Sequence, residues 1–73
     1  MKKTGWIIKE TDQSGAEYYR WKGNGSKEMP TMLTKWDAYK TKTVAERAMR
    51  TMQEKLGKDG QTLETVEVTL IFR

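Results

Sequence analysis

Seventy-three residues hold one domain, and a chain of that size buries only about 60% of the surface its unfolded form exposes, so every element must share one small core. The sequence contains neither cysteine nor histidine, which removes disulfides, thiolate and imidazole metal ligands, and every catalytic arrangement that depends on those side chains. Fourteen Lys and Arg against ten Asp and Glu leave a net charge of +4, enough to favour acidic partners by long-range attraction without naming one.

Residues 4–11, with Trp6, Ile7 and Ile8, read as a first strand. Asp12-Gln13-Ser14-Gly15 supplies turn chemistry before a second strand over 16–22. Alternation in that strand puts Glu17, Tyr19 and Trp21 on one side and Tyr18, Arg20 and Lys22 on the other. One side is expected to face a helix and the other to face solvent or a partner. Residues 23–30, with two glycines, an asparagine and a proline but no apolar period, read as a flexible connection and the most mobile part of the chain. Residues 32–40 read as a short third strand with Trp36 and Ala38 on one face and Lys35, Asp37 and Tyr39 on the other, although Leu33-Thr34-Lys35-Trp36 also fits a turn of helix.

The helix is announced by Thr43-Val44-Ala45-Glu46, which has the form of a capping box: the threonine oxygen takes a free amide and the glutamate reaches back. Val44, Ala45, Ala48, Met49, Met52 and Leu56 then recur at helical spacing, and Gly57 stands where a left-handed stop belongs. Lys58-Asp59-Gly60 signals a turn, and residues 61–73 alternate as a last strand whose Val66, Val68, Leu70 and Phe72 are expected to lie against the helix. The fold class that follows is α+β, a small antiparallel sheet of three to four strands covered on one face by a single helix, in the order β-β-β-α-β.

No run approaches the roughly 18 apolar residues of a membrane span, and charge resumes at Lys9 too soon for a signal-peptide core. A cytoplasmic protein that meets no membrane is the expectation. Among the carboxylates, Asp12, Glu17, Asp37 and Asp59 sit in turn or polar strand contexts and form no recognisable pair. Gly23-Asn24-Gly25-Ser26-Lys27 lacks the spacing of a phosphate loop. One helix on one small sheet also leaves little room for an enclosed pocket of about 300 Å³ or more. The expectation is therefore no enzyme, no catalytic or metal-binding residues, no cofactor and no small-molecule substrate.

Recognition surfaces are the remaining candidates. Tyr18, Arg20 and Lys22, joined by Lys9 or Ile7 from the neighbouring strand, would place a ring among cations on an open sheet face, where bases stack and phosphates are neutralised. The plainer reading is a solvated outer face. Lys35, Lys40, Lys42, Arg47 and Arg50 form a second basic group around the helix start, suited to a nucleic-acid backbone or an acidic protein groove. Its plainer reading is a wet helix side, and Glu46, Glu54, Glu64 and Glu67 dilute its charge. Of Trp6, Trp21 and Trp36, at least two are expected under the helix and Trp36 is expected in the core. If Trp36 or Trp21 instead stands exposed beside residues 23–30, it becomes the leading binding anchor, with Met29 and Met32 as an adaptable apolar rim.

Gly5-Trp6-Ile7-Ile8-Lys9, then Tyr18-Tyr19-Arg20-Trp21, then Trp36-Asp37-Ala38-Tyr39-Lys40-Thr41-Lys42 leading into Ala45-Glu46 resemble small accessory proteins of tailed phages. The resemblance implies a product that binds and blocks a host component, such as a defence nuclease or a toxin, in the host bacterial cytoplasm. The matching positions belong to core and cap, so they assign no functional residue. The expected function is steric inhibition of a host protein, with Tyr18, Arg20, Lys22, Lys35, Trp36, Tyr39, Lys40, Lys42, Arg47 and Arg50 as candidate contacts. The alternative is an RNA- or DNA-binding module, and the last strand leaves a homodimer open through its free edge.

Overall fold

The computed structural model describes residues 3–56, the last by its backbone alone, and 61–71. Within them the chain forms β1 (Lys3–Thr11), β2 (Glu17–Trp21), β3 (Asn24–Ser26), α1 (Lys42–Leu56) and β4 (Thr62–Leu70). The strands make one antiparallel sheet in the order β3-β2-β1-β4. The expected α+β build, with its β-β-β-α-β order and its single helix, is therefore the one adopted. Gly57, the turn at Lys58-Asp59-Gly60, Phe72 and Arg73 lie outside the described residues.

β1 is an interior strand because it alone carries adjacent aliphatic residues for both faces. Ile7 and Ile8 point to opposite sides, and both are completely buried. Full burial of one such side chain is worth about 1.5–3 kcal/mol, so this pair anchors the domain on both sides at once. Its turn to β2 is closed by Asp12, whose carboxylate accepts from the Ser14 N–H at 2.8 Å, the Ser14 hydroxyl at 2.6 Å and the Ala16 N–H at 3.0 Å. Gly15, at φ 88°, takes the left-handed position of that turn.

Residues opposite one another on paired strands share a face. Ile7 faces Val66 and Gly5 faces Val68, while Lys9 faces Tyr19. On this side Ile7, Val68 and Leu70 form a cluster with Leu33 and Ala38, and Tyr19, Trp21 and Val66 pack around it. The cover is thus the segment between β3 and α1, which crosses the sheet as a strap. It is held where it passes the end of β4, by the Ile71 N–H donating to the Leu33 carbonyl at 2.8 Å. It is held again beside β1, where Trp6 and Tyr39 exchange both backbone bonds at 2.9 and 2.8 Å. Gly5 lies beneath it so closely that a β-carbon there would fall 2.8 Å from the Ala38 β-carbon.

The helix lies across β1 and β4 on the other side. Ile8 and Ala45 are its fully buried residues there, Lys42 reaches over the Trp6 ring, and Met52 borders the same groove as Arg20. Around β1 and β4 both faces of the sheet are therefore covered, by different means.

Four local expectations are corrected. Residues 32–40 form the strap and not a third strand; only Tyr39 pairs, in an isolated bridge with Trp6. The third strand is instead Asn24–Ser26, within the stretch expected to be a loose connection, and it folds back on β2 through Gly23 at φ 71°. The row Val66, Val68, Leu70 faces the strap and not the helix, because it shares the face of Ile7. The helix is capped by Thr41, whose hydroxyl accepts from the Val44 N–H at 3.2 Å and whose carbonyl accepts from the Ala45 N–H at 3.1 Å. Thr43, inside the first turn, is not the cap.

Candidate functional site

The strap turn decides which side chains reach the surface. The Thr34 N–H and hydroxyl donate to the Asp37 carboxylate at 2.9 and 3.0 Å, and the Thr34 hydroxyl oxygen accepts from the Trp36 N–H at 3.3 Å. With the Asp37 N–H donating back to the Thr34 carbonyl at 3.0 Å, Thr-x-x-Asp closes a reciprocal capped turn. Ala38 then takes the core position against Gly5 and Leu70. Trp36 is turned outward, 76% exposed, against the expectation that it is core. Lys35 Nζ stands 4.9 Å from its ring centroid, and Met32 and Met29 precede it at 66% and 41% exposure.

Further cations meet rings nearby. Lys22 Nζ lies 5.9 Å from the Tyr39 ring and Lys42 Nζ 5.9 Å from the Trp6 ring, within reach of a cation–π attraction. Because Tyr39 and Trp6 are bonded backbone to backbone, these two pairs are adjacent. Beside them runs an open groove of about 320 Å³ bordered by Lys3, Lys35 and Lys40, with Ala38, Leu70 and Tyr39 in its lining. Burial raises the Tyr39 phenol above its ordinary pKa. Neither Lys3, Lys22, Lys35, Lys40 nor Lys42 forms an ion pair with a described carboxylate, and Asp37 is committed to the turn.

The other end of the sheet is electrically closed. Lys9 bridges Glu17 and Glu64, the latter at 3.2 Å, and its hydrogen bonds to Glu17 and then Glu64 push its pKa upward. Arg20 Nε donates to the nearly buried Glu10 carboxylate at 3.2 Å. Hydrogen bonds from Ser14 and then Ala16 hold the Asp12 carboxyl below its ordinary range.

The expected site residues therefore fall into three places. Lys22, Lys35, Trp36, Tyr39, Lys40 and Lys42 come together around the strap and the helix start, though Lys22 belongs to the β2–β3 turn. Arg47 and Arg50 line a separate groove of about 270 Å³ on the helix with Thr43 and Glu46. Tyr18 and Arg20 share a face with Ile8 and Glu10, so Lys9 and Ile7, which lie on the strap side, do not join them. The expected company of Lys9 or Ile7 on that face is corrected accordingly. Arg20 stacks 4.9 Å from the Tyr18 centroid, and the same ring lies against Gly25.

Lys3 and Trp6 complete the basic cluster, and the sequence pattern points to neither. Lys3 stands next to Lys2 at the start of a strand and Trp6 reads as a core ring, so no local signal marks either as a surface group. Among the described residues no group of acids is placed to hold a metal ion, and no helix is long and apolar enough to cross a membrane. What the cluster supplies is positive charge unpaired with any described carboxylate, exposed aromatic and thioether surface, and hydroxyl donors. Compared with known proteins, no family model matches the chain, and no curated protein or solved structure matches it at a significant level.

Proposed function

We propose that this protein binds a host macromolecule and inhibits it sterically, as the resemblance to phage accessory proteins implies, and that its partner is a protein such as a defence nuclease or a toxin. The carrying observation is Trp36, 76% exposed on a turn that its own hydrogen bonds fix. Tryptophan leads the side chains that dominate protein interfaces, and a ring held in place before binding loses little entropy on docking. Met32 and Met29 extend the apolar area with side chains that adapt to a partner's shape.

The test is capture from a nuclease-treated bacterial lysate, followed by titration of the purified partner. Trp36→Ala is expected to weaken that binding by about 2 kcal/mol or more and to leave thermal unfolding unchanged, since the ring contributes little to the core. Unaltered affinity in this variant would overturn the reading.

A second reading, nucleic-acid binding, is favoured by the gathering of lysines with the Trp6, Trp36 and Tyr39 rings. Counterion release would then make affinity for generic RNA or DNA fall steeply with salt. Tight binding of this kind, together with loss of capture on nuclease treatment, would reverse the order of the two readings.

A further inference from the structure

We propose that the groove between Lys3, Lys35 and Lys40 receives an acidic segment of the partner protein, one carboxylate among the lysines and an adjacent apolar side chain beside Leu70 and Tyr39. The inference rests on reading the protein as a protein-binding module and names the chemistry of its partner. Charge complementarity is the first argument: three lysines border the groove, no described carboxylate lines it, and none of the three is neutralised by a described ion pair. An acidic side chain docking there gains charge-assisted hydrogen bonds without breaking any ion pair already formed.

Composition is the second. Leu70 and Tyr39, with the almost wholly buried Ala38, bring apolar atoms to the lining while Thr4 and Thr41 add hydroxyls. The Thr41 oxygen accepts from the helix, which leaves its hydrogen to donate. A purely anionic ligand would waste the apolar part, whereas a segment with neighbouring acidic and bulky apolar residues satisfies both. Size is the third: about 320 Å³ lies at the low end of the roughly 300–1,000 Å³ of ligand sites. Finally, Lys35 joins the groove to Trp36, so one partner can occupy both.

The probes are two blocked peptides, one alternating Glu or Asp with Phe and Leu and the other carrying Gln and Asn in place of the acids. A short oligothymidine serves as the nucleic-acid control. Titrated into the isotope-labelled full chain, the acidic peptide is expected to shift the amide resonances of Thr4, Lys35, Lys40 and Thr41, and the neutral peptide is not. The double variant Lys3→Glu, Lys40→Glu leaves Lys35 and Trp36 in place and is expected to weaken the acidic peptide about tenfold or more. Both residues are exposed, so its melting curve should match that of the parent.

Equal binding of the neutral peptide, shifts confined to the helix arginines, no shift at millimolar acidic peptide, or groove shifts caused by oligothymidine alone would each overturn the inference. The captured partner separates this from the broader reading. Loss of partner affinity in Trp36→Ala with none in the double variant sinks the groove and keeps the binding module. Loss in both supports the groove. No loss in Trp36→Ala sinks the Trp36 reading, and the peptide titration then decides the groove.

Discussion

Gly5 shows how one residue fixes the whole face above it. A β-carbon at this position would meet Ala38 Cβ at 2.8 Å and both Leu70 methyls at 3.2 Å, and Ala38 is a short side chain that cannot swing away. Gly5→Ala must therefore lift the strap or shift β1. The expected loss is about 1–3 kcal/mol, read as a lower urea midpoint at an unchanged slope. Adding Ala38→Gly restores the space and is expected to recover part of that loss, a coupling that a double-mutant cycle measures directly. Additive losses would show that the strap is not seated on Gly5. The same contact explains Trp36: once Ala38 is the residue that fits beneath the turn, the large ring two positions earlier has no place in the core. From the sequence, Trp36 outranks Ala38 as a core residue by size. The close approach that reverses this order exists only after β1, β4 and the strap have met.

At the scale of elements, the helix start gives the sharpest choice between two similar signals. Thr41 and Thr43 are both acceptable caps, and Glu46 favours Thr43 because it stands three residues after it. The chain leaves the sheet immediately after the Trp6–Tyr39 bridge, however, so the helix begins at Lys42 and Thr41 is the residue left at the cap position, its hydroxyl and carbonyl both taking helix amides. Thr41→Ala is expected to cost about 1 kcal/mol. Thr43→Ala should be neutral or slightly stabilising, because alanine is the better helix former inside a turn. Urea titrations of the two variants check this, and the opposite ranking would restore a Thr43–Glu46 box. The elements legible in the sequence are those long enough to repeat: β1, β2, α1 and β4 all show their period over several residues. β3 has three residues, too few for any alternation to register. Its pairing depends on the turn at Gly23 and on the Tyr18 ring covering Gly25, and neither Gly23 nor Tyr18 belongs to the strand. The strap reads as a strand because Trp36 and Ala38 alternate with polar neighbours, while the Thr34–Asp37 turn that breaks the alternation is an equally short signal. At the candidate site the residue types are legible, but their grouping follows the strap's path and the sheet register, which separate Tyr18 and Arg20 from the lysines.

The described charges of the sheet and strap are partly sorted along the strands, and that arrangement bears on both partner choice and stability. At one end Lys9 and Arg20 are consumed by Glu17, Glu64 and Glu10; at the other, the lysines around the strap are unpaired with described carboxylates. Folding thus separates part of the mixture of acids and bases along the sequence, while Glu67 still stands opposite Trp6 and Glu46 beside Arg47 and Arg50. Stability should respond to pH only at the extremes. Asp12 is held below its ordinary 3.8, so its contribution is complete above that pH and is lost as pH falls through the lower folded value. Lys9 is raised above its ordinary 10.5, so its contribution is complete below that pH and is lost as pH climbs through the higher folded value. Between them the sequence has no histidine or cysteine, leaving an α-amino group as the only type with an ordinary pKa near neutrality. Thermal melts are therefore expected to give a flat midpoint from about pH 5 to about pH 9, declining on both sides. A step near neutrality that persists when the α-amino group is acetylated would show that a carboxylate or lysine is driven far from its usual range by burial, and the ion pairs that close the Lys9 end of the sheet would need to be redrawn.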